Sequence, residues 1–219
     1  MFNVKKVFFV CFIFISNHSF AQKIFHQTDV KGTWQYVYPF KDKRYVMAIQ
    51  YLIVDGESSE EPSNAVIYFG QINKKADKIF WKENLALRQI SNNITYEDYN
   101  NDGIKDLLIF ENTGGRGGNS FYNLYLVNPK NHTLTKVGDF NKIVNPNYNK
   151  KYKVIVSYGL TGTNYYQLYK LNKKRIPYKI GKPFDDTEDL DLDKKIATIL
   201  NNNNNPKQQI KKIGISTSK

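Results

Sequence analysis

The chain has 219 residues, 32 Lys and Arg against 20 Asp and Glu, a formal net charge of +12 and one cysteine. That length suits one domain with a real core, and a single cysteine excludes a disulfide framework. The lysines are scattered singly and in pairs, which reads as solvated basic surface and argues against a nucleic-acid role.

Lys5 and Lys6 precede an apolar run over residues 7–15, and Ser19-Phe20-Ala21 supplies small residues where a signal peptidase reads. Residues 1–21 are therefore expected to be a signal peptide cleaved before Gln22, which predicts a periplasmic or secreted protein. The apolar run is too short for a stable membrane span. Cys11 would leave with it, so the fold must rest on a packed core or a metal.

From residue 23 to 182 the apolar runs are short, aromatic and β-branched, with turn residues between them. Strands are predicted at 34–38, 45–54 and 65–72, the last two joined as a hairpin through Asp55-Gly56 and the polar stretch 57–64. Residues 79–90 fit neither the helical nor the strand period, since Phe80, Leu85, Leu87 and Ile90 keep to no single face. Further strands are predicted at 94–97, 106–110, 121–127, 134–137, 154–158, 165–171 and 176–180.

Between the fourth and fifth of these, Asp98 opens the spacing D-x-N-x-D-G-x-x-D. Asp98, Asn100 and Asp102 offer side-chain oxygens at positions 1, 3 and 5, and Gly103 permits a sharp turn. The carbonyl of Ile104 follows at position 7 and Asp106 at position 9, directly or through water. These are hard oxygen donors of the kind calcium prefers. Position 12, a bidentate glutamate in an EF-hand, is Ile109, and strands instead of helices flank the loop, so binding at roughly 0.1–1 mM is expected. The alternative is a plain Asn/Asp/Gly turn, which does not require acids at both Asp98 and Asp106.

The turn at 113–118 is too poor in Lys-Ser/Thr for a phosphate loop, and a strand follows it. Residues 107–128 and 154–172 share one plan of apolar strand, Thr-Gly turn and Tyr-rich strand. Tyr122, Leu124, Tyr125 and Asn128 match Tyr166, Leu168, Tyr169 and Asn172 at one constant offset. A repeat of that size with three or four strands is the size of a propeller blade. Two units cannot close a ring, so the expected fold is mainly β, with antiparallel sheets in an open propeller-blade-like or sandwich arrangement. Along 121–127, Tyr122 shares a face with Leu124 and Leu126, and Tyr125 takes the other.

One short helix is expected near the C-terminus, capped by Thr187 or Asp186, with Ile196, Ile199 and Leu200 on one face. Asp189, Asp191 and Asp193 imitate a metal loop, but Lys194 stands where glycine is needed, so they read as acids at a helix start. The domain is placed at residues 22–200, and 201–219 as a flexible Asn/Lys-rich tail.

The 98–107 stretch, followed by Leu-Ile-Phe and a glycine-rich turn, resembles the calcium loop of FG-GAP/VCBS-type β-propeller repeats. The layout is similar to small exported bacterial proteins with one such loop, some of them periplasmic immunity proteins that inhibit lysozyme-like peptidoglycan hydrolases. The resemblance covers about residues 94–180 and implies a calcium-stabilised scaffold that binds a protein or a glycan. The expected partner is a cell-wall hydrolase. Alternatives are a cell-surface module binding glycan or anionic envelope polymer, and a glycan hydrolase with Glu111 as its first acid to consider. No nucleophile signature or catalytic histidine pattern is present in the sequence, so no enzyme is expected; His26 and His132 read as solvated loop residues. Partner contacts are expected at the hairpin tips, through Gly114, Arg116, Gly118, Thr161 and Tyr165, because tips on a rigid sheet tend to carry binding.

Overall fold

The computed structural model describes residues 23–25, 33–52, 64–88, 93–114 and 118–204. The expected signal peptide, His26, the expected Asp55-Gly56 turn, Arg116 and the tail beyond residue 204 lie outside them. Among the described residues twelve strands form three four-stranded antiparallel sheets, each a meander in chain order. The first holds β1 (Thr33–Val37), β2 (Tyr45–Tyr51), β3 (Ala65–Gln71) and β4 (Lys78–Leu85). The second holds β5 (Ile94–Glu97), β6 (Asp106–Thr113), β7 (Ser120–Asn128) and β8 (Thr133–Lys136). The third holds β9 (Pro146–Asn149), β10 (Val154–Gly159), β11 (Tyr165–Leu171) and β12 (Pro177–Asp185), and α1 (Leu192–Asn204) follows.

Alternation along the strands explains how these units stack. Successive side chains point to opposite faces, so an apolar run such as Leu107-Leu108-Ile109-Phe110 has two faces to bury. Leu107 and Ile109, with Tyr125 and Val127, pack against Met47, Ile49 and Ile67 of the first sheet. Leu108, Leu124 and Leu126 face the other way and meet Tyr148, Ile155 and Tyr169 of the third. The outer face of the third sheet, Val154, Val156, Leu168 and Ile180, is covered by Ile196 with Ile199 and Leu200 of α1. The outer face of the first, Val46 and Ala48, is covered by Ile24 and Phe25.

Mainly-β architecture of blade-like sheets is therefore the fold, with three units where the sequence repeat showed two. The third unit comes from residues 33–85, which carry no matching motif. The repeat positions are equivalent in space: Leu124 and Leu168 face onward along the stack, and Tyr125 and Tyr169 face back. The turns also match, because the Asn128 Oδ1 accepts the Lys130 N–H and the Asn172 Oδ1 accepts the Lys174 N–H.

Three expectations are corrected. Residues 78–85 are a strand, an edge strand with a register shift opposite Phe69/Gly70 that breaks its apparent period. The helix is capped by Asp191, whose Oδ1 accepts the Lys194 N–H at 2.9 Å, and not by Thr187 or Asp186. It also runs on to Asn204, so four of the five consecutive asparagines belong to it.

Ile196 is fully buried against the third sheet. Ile196→Ala should cost about 2–4 kcal/mol in denaturant unfolding, whereas Ala substitution of the exposed Lys194 should stay within about 0.5 kcal/mol.

Candidate functional site

The loop between β5 and β6 is closed by the pair Glu97 and Asp106. Asn101 (φ 58°) and Gly103 (φ 83°) lie in the left-handed region, where a residue without Cβ, or an asparagine, carries the least penalty. Three side chains turn inward. Asp98 accepts the Asp102 N–H (3.2 Å) and the Gly103 N–H (2.9 Å), Asn100 accepts the Asp102 N–H (3.0 Å), and Asp102 accepts the Ile104 N–H (2.8 Å). The turn chemistry expected of Asn and Asp is thus fully used.

Asp106 behaves differently from its neighbours. It is fully buried, and its two oxygens accept the Tyr99 N–H (2.9 Å) and the Val127 N–H (3.0 Å). One carboxylate therefore ties the loop to β7. Burial pushes its pKa up to about 6; the two N–H groups oppose that rise, and Asp102 and Asp98 add to it. None of the ion pairs among the described residues includes Asp98, Asp102 or Asp106. Tyr99, next to Asp98, sends its ring between Phe140 and Tyr148, and its hydroxyl donates to the Pro146 carbonyl (3.2 Å). The loop is fastened to the second sheet by Asp106 and to the third by Tyr99.

No group of three or more His, Cys, Asp or Glu able to hold a metal ion occurs among the described residues. The loop's donors nevertheless fit a hard cation in kind, being two exposed or half-buried carboxylates, an amide and a third, buried carboxylate with no thiol or imidazole. None of these carboxylates is paired directly with a lysine or arginine among the described residues.

β6 leads from this loop to the opposite end of the molecule, about 25 Å away at strand rise. There the tips predicted from the sequence repeat meet. The Asn119 amide donates to the Leu160 carbonyl (3.1 Å) and its oxygen accepts the Leu160 N–H (2.9 Å). Asn145 joins both hairpins: its oxygen accepts the Ser120 N–H (2.7 Å) and its amide donates to the Tyr158 carbonyl (2.8 Å). Gly114 closes the first tip by donating to the Asn119 carbonyl. Gly118 lies against Leu160, and Thr161 donates within its own tip to Thr163. Tyr165 packs its ring over Gly159, where a Cβ would meet ring carbon at 2.4 Å. The structure thus brings Gly114, Gly118, Thr161 and Tyr165 to one end, Asp98 to Asp106 to the other. Arg116 lies outside the described residues.

One residue differs from expectation. His132 is no solvated loop side chain: its ring stacks on Tyr45 at 4.2 Å and meets Phe40 edge-on. Glu111 is held by the Asn123 amide (2.8 Å) and the Asn141 amide (3.1 Å), at a register irregularity between β6 and β7. A groove of about 390 Å³ beside the acidic loop, bordered by Lys153, Lys170 and Arg175, was not foreseen from the sequence. Those cations come from two hairpin turns and a strand end, which no linear motif links.

The folded chain holds the Asp106 proton up to about pH 6, whereas its ordinary value is 3.8. The group therefore favours the fold in acid, and that contribution is lost as pH rises from about 4 to 6. In EDTA, the stability of the wild type relative to Asp106→Asn should fall across that window in urea unfolding at stepped pH. At neutral pH Asp106→Ala should still be destabilising, by about 1–3 kcal/mol, because two buried N–H groups lose their acceptor.

No protein-family model matches the chain, and no curated protein matches it in sequence. Among solved structures, a Xanthomonas type IV secretion system related protein is similar at 15% identity. The match covers 66% of this chain and 90% of that one, with a TM-score of 0.38. A likeness that slight carries no argument about function.

Proposed function

We propose that the chain is an exported binding protein whose β scaffold is held by calcium at the 98–106 loop, and which inhibits a cell-wall hydrolase through its hairpin tips. The observation that supports the cation is the loop's set of hard oxygen donors, in which Asp102 and Asp98 act on the buried Asp106 and add to the rise of its pKa. Like charges repel, and a divalent cation bound between them removes that cost. Asp98, Asn100, Asp102, the Ile104 carbonyl and Asp106 would hold it. Calcium would supply structure and not chemistry, by reinforcing the join from the loop to β7 and β6.

β6 carries that order to the first tip. Arg116 adds to the tip a group that can make paired hydrogen bonds to a carboxylate. Asn119 and Asn145 couple the two tips, which favours one contact surface built from both. The choice of a hydrolase as partner rests on the resemblance of the loop and the strands around it to exported immunity proteins. Read this way, the protein is a binder without a reaction of its own.

Millimolar calcium should raise the melting temperature, and Asp98→Ala with Asp102→Ala should abolish the rise. At ten times the dissociation constant, linkage gives about 1.4 kcal/mol. Equal melting in EDTA and in calcium would leave the loop as a plain turn.

Inhibition is tested by adding the protein to lysozyme-type hydrolases and following the clearing of a peptidoglycan suspension. Arg116→Ala should weaken inhibition severalfold while leaving thermal stability nearly unchanged. Calcium removal should weaken inhibition and stability together. Unaltered inhibition by Arg116→Ala and by a chain shortened within 114–118 would move the contact surface away from the tips.

A further inference from the structure

The groove beside the acidic loop lies at the end of the molecule away from the tips, between the second and third sheets. Its volume of about 390 Å³ is within the range of small-ligand sites. The floor is apolar and aromatic, from Leu126, Ile155, Leu171 and the half-buried ring of Tyr169. No acidic residue lines it, and three cations do: Lys153, Lys170 and Arg175.

None of the ion pairs among the described residues involves those three. Their placement is also costly. Lys153 (φ 52°) and Arg175 (φ 61°) both sit in left-handed backbone at hairpin turns, where Gly or Asn is the easier choice. Lys170 is half-buried at the end of β11, so part of its stem lies in the groove wall. Asn172 spends its oxygen on the Lys174 and Ile176 N–H groups, which leaves its amide nitrogen as a neutral donor at the same rim.

On the loop side, Asp98 and Glu97 act on Tyr148 and raise its pKa after burial has done so. Glu97 is faced in turn by Lys150 at 3.9 Å. The groove is therefore basic along the third sheet and bounded by acids at the loop.

We propose that this groove binds a small anionic ligand with a ring body, a sugar acid or a sugar phosphate. Lys153, Lys170 and Arg175 engage the carboxylate or phosphate, and Tyr169 with Leu171 packs against the ring. Lys170, half-buried beside the apolar floor, is screened less than a cation on open surface, and the exposed Lys153 and Arg175 add their charge from the rim. The inference is independent of the reading of the tips.

The test is a titration of the labelled full chain with glucuronic acid, glucose 6-phosphate, glucose and inorganic phosphate, followed by amide chemical shifts, with and without calcium. One or both anionic sugars should shift the amides of 153–155 and 169–172, and glucose should not. Which of the two binds identifies the source of the charge. Lys170→Met and Arg175→Asn should each weaken that binding at least tenfold with the melting temperature unchanged, since Asn tolerates the left-handed backbone at 175. No shift with either anionic sugar at millimolar concentration would overturn the proposal. So would shifts that survive both variants, equal binding of glucose, or inorganic phosphate binding as tightly as glucose 6-phosphate.

Discussion

Apolar residues on both faces of β6 and β7 leave the second sheet no side to turn to water, and every other element is placed by the need to cover it. A sheet with one wet face would alternate apolar and polar side chains. Here Leu107 to Phe110 and Leu124 to Val127 are buried without interruption. The first and third sheets supply the two covers, and each then presents an outer face of its own. Ile24 and Phe25 close the stack on one side and α1 on the other. Register is fixed by the same requirement, because a slip of one residue would exchange the two cores.

With the faces committed to packing, the candidate sites lie at the two ends of the sheets. Each end is organised by polar groups acting on main chain. At one, the buried Asp106 holds the amides of Tyr99 and Val127. At the other, Asn119 and Asn145 clasp the two hairpins. β6 is the rigid connection between them. A change in the charge of the loop can therefore reach the first tip along this strand, which is why stability and tip binding are expected to move together.

Much of this was legible in the sequence. Residues 94–97 and 165–171 coincide with β5 and β11, because β-branched and aromatic runs ended at clear turn residues. The constant offset between 122–128 and 166–172 marked two blades and the equivalent roles of Tyr125 and Tyr169. The first blade was hidden because its strands pack equally well without sharing turn residues with the other two. β9 was missed for a plainer reason. Pro146-Asn147-Tyr148-Asn149 is short and polar, and only the burial of Tyr148 against Tyr99 makes it part of the core. The loop was read from spacing alone, and spacing placed Asp106 among the donors without showing that it is turned into the protein. The groove was illegible, since its cations come from separate turns that only the third sheet brings together.

The central claim is that a cation at the acidic loop strengthens the join between that loop and the second sheet. Hydrogen exchange at the Tyr99 and Val127 amides reads this join directly, since both donate to Asp106. Millimolar calcium should slow exchange at these two amides more than at the outer strands of the first sheet, and Asp98→Ala with Asp102→Ala should remove the effect. Identical exchange at both amides in calcium and in EDTA would contradict the account.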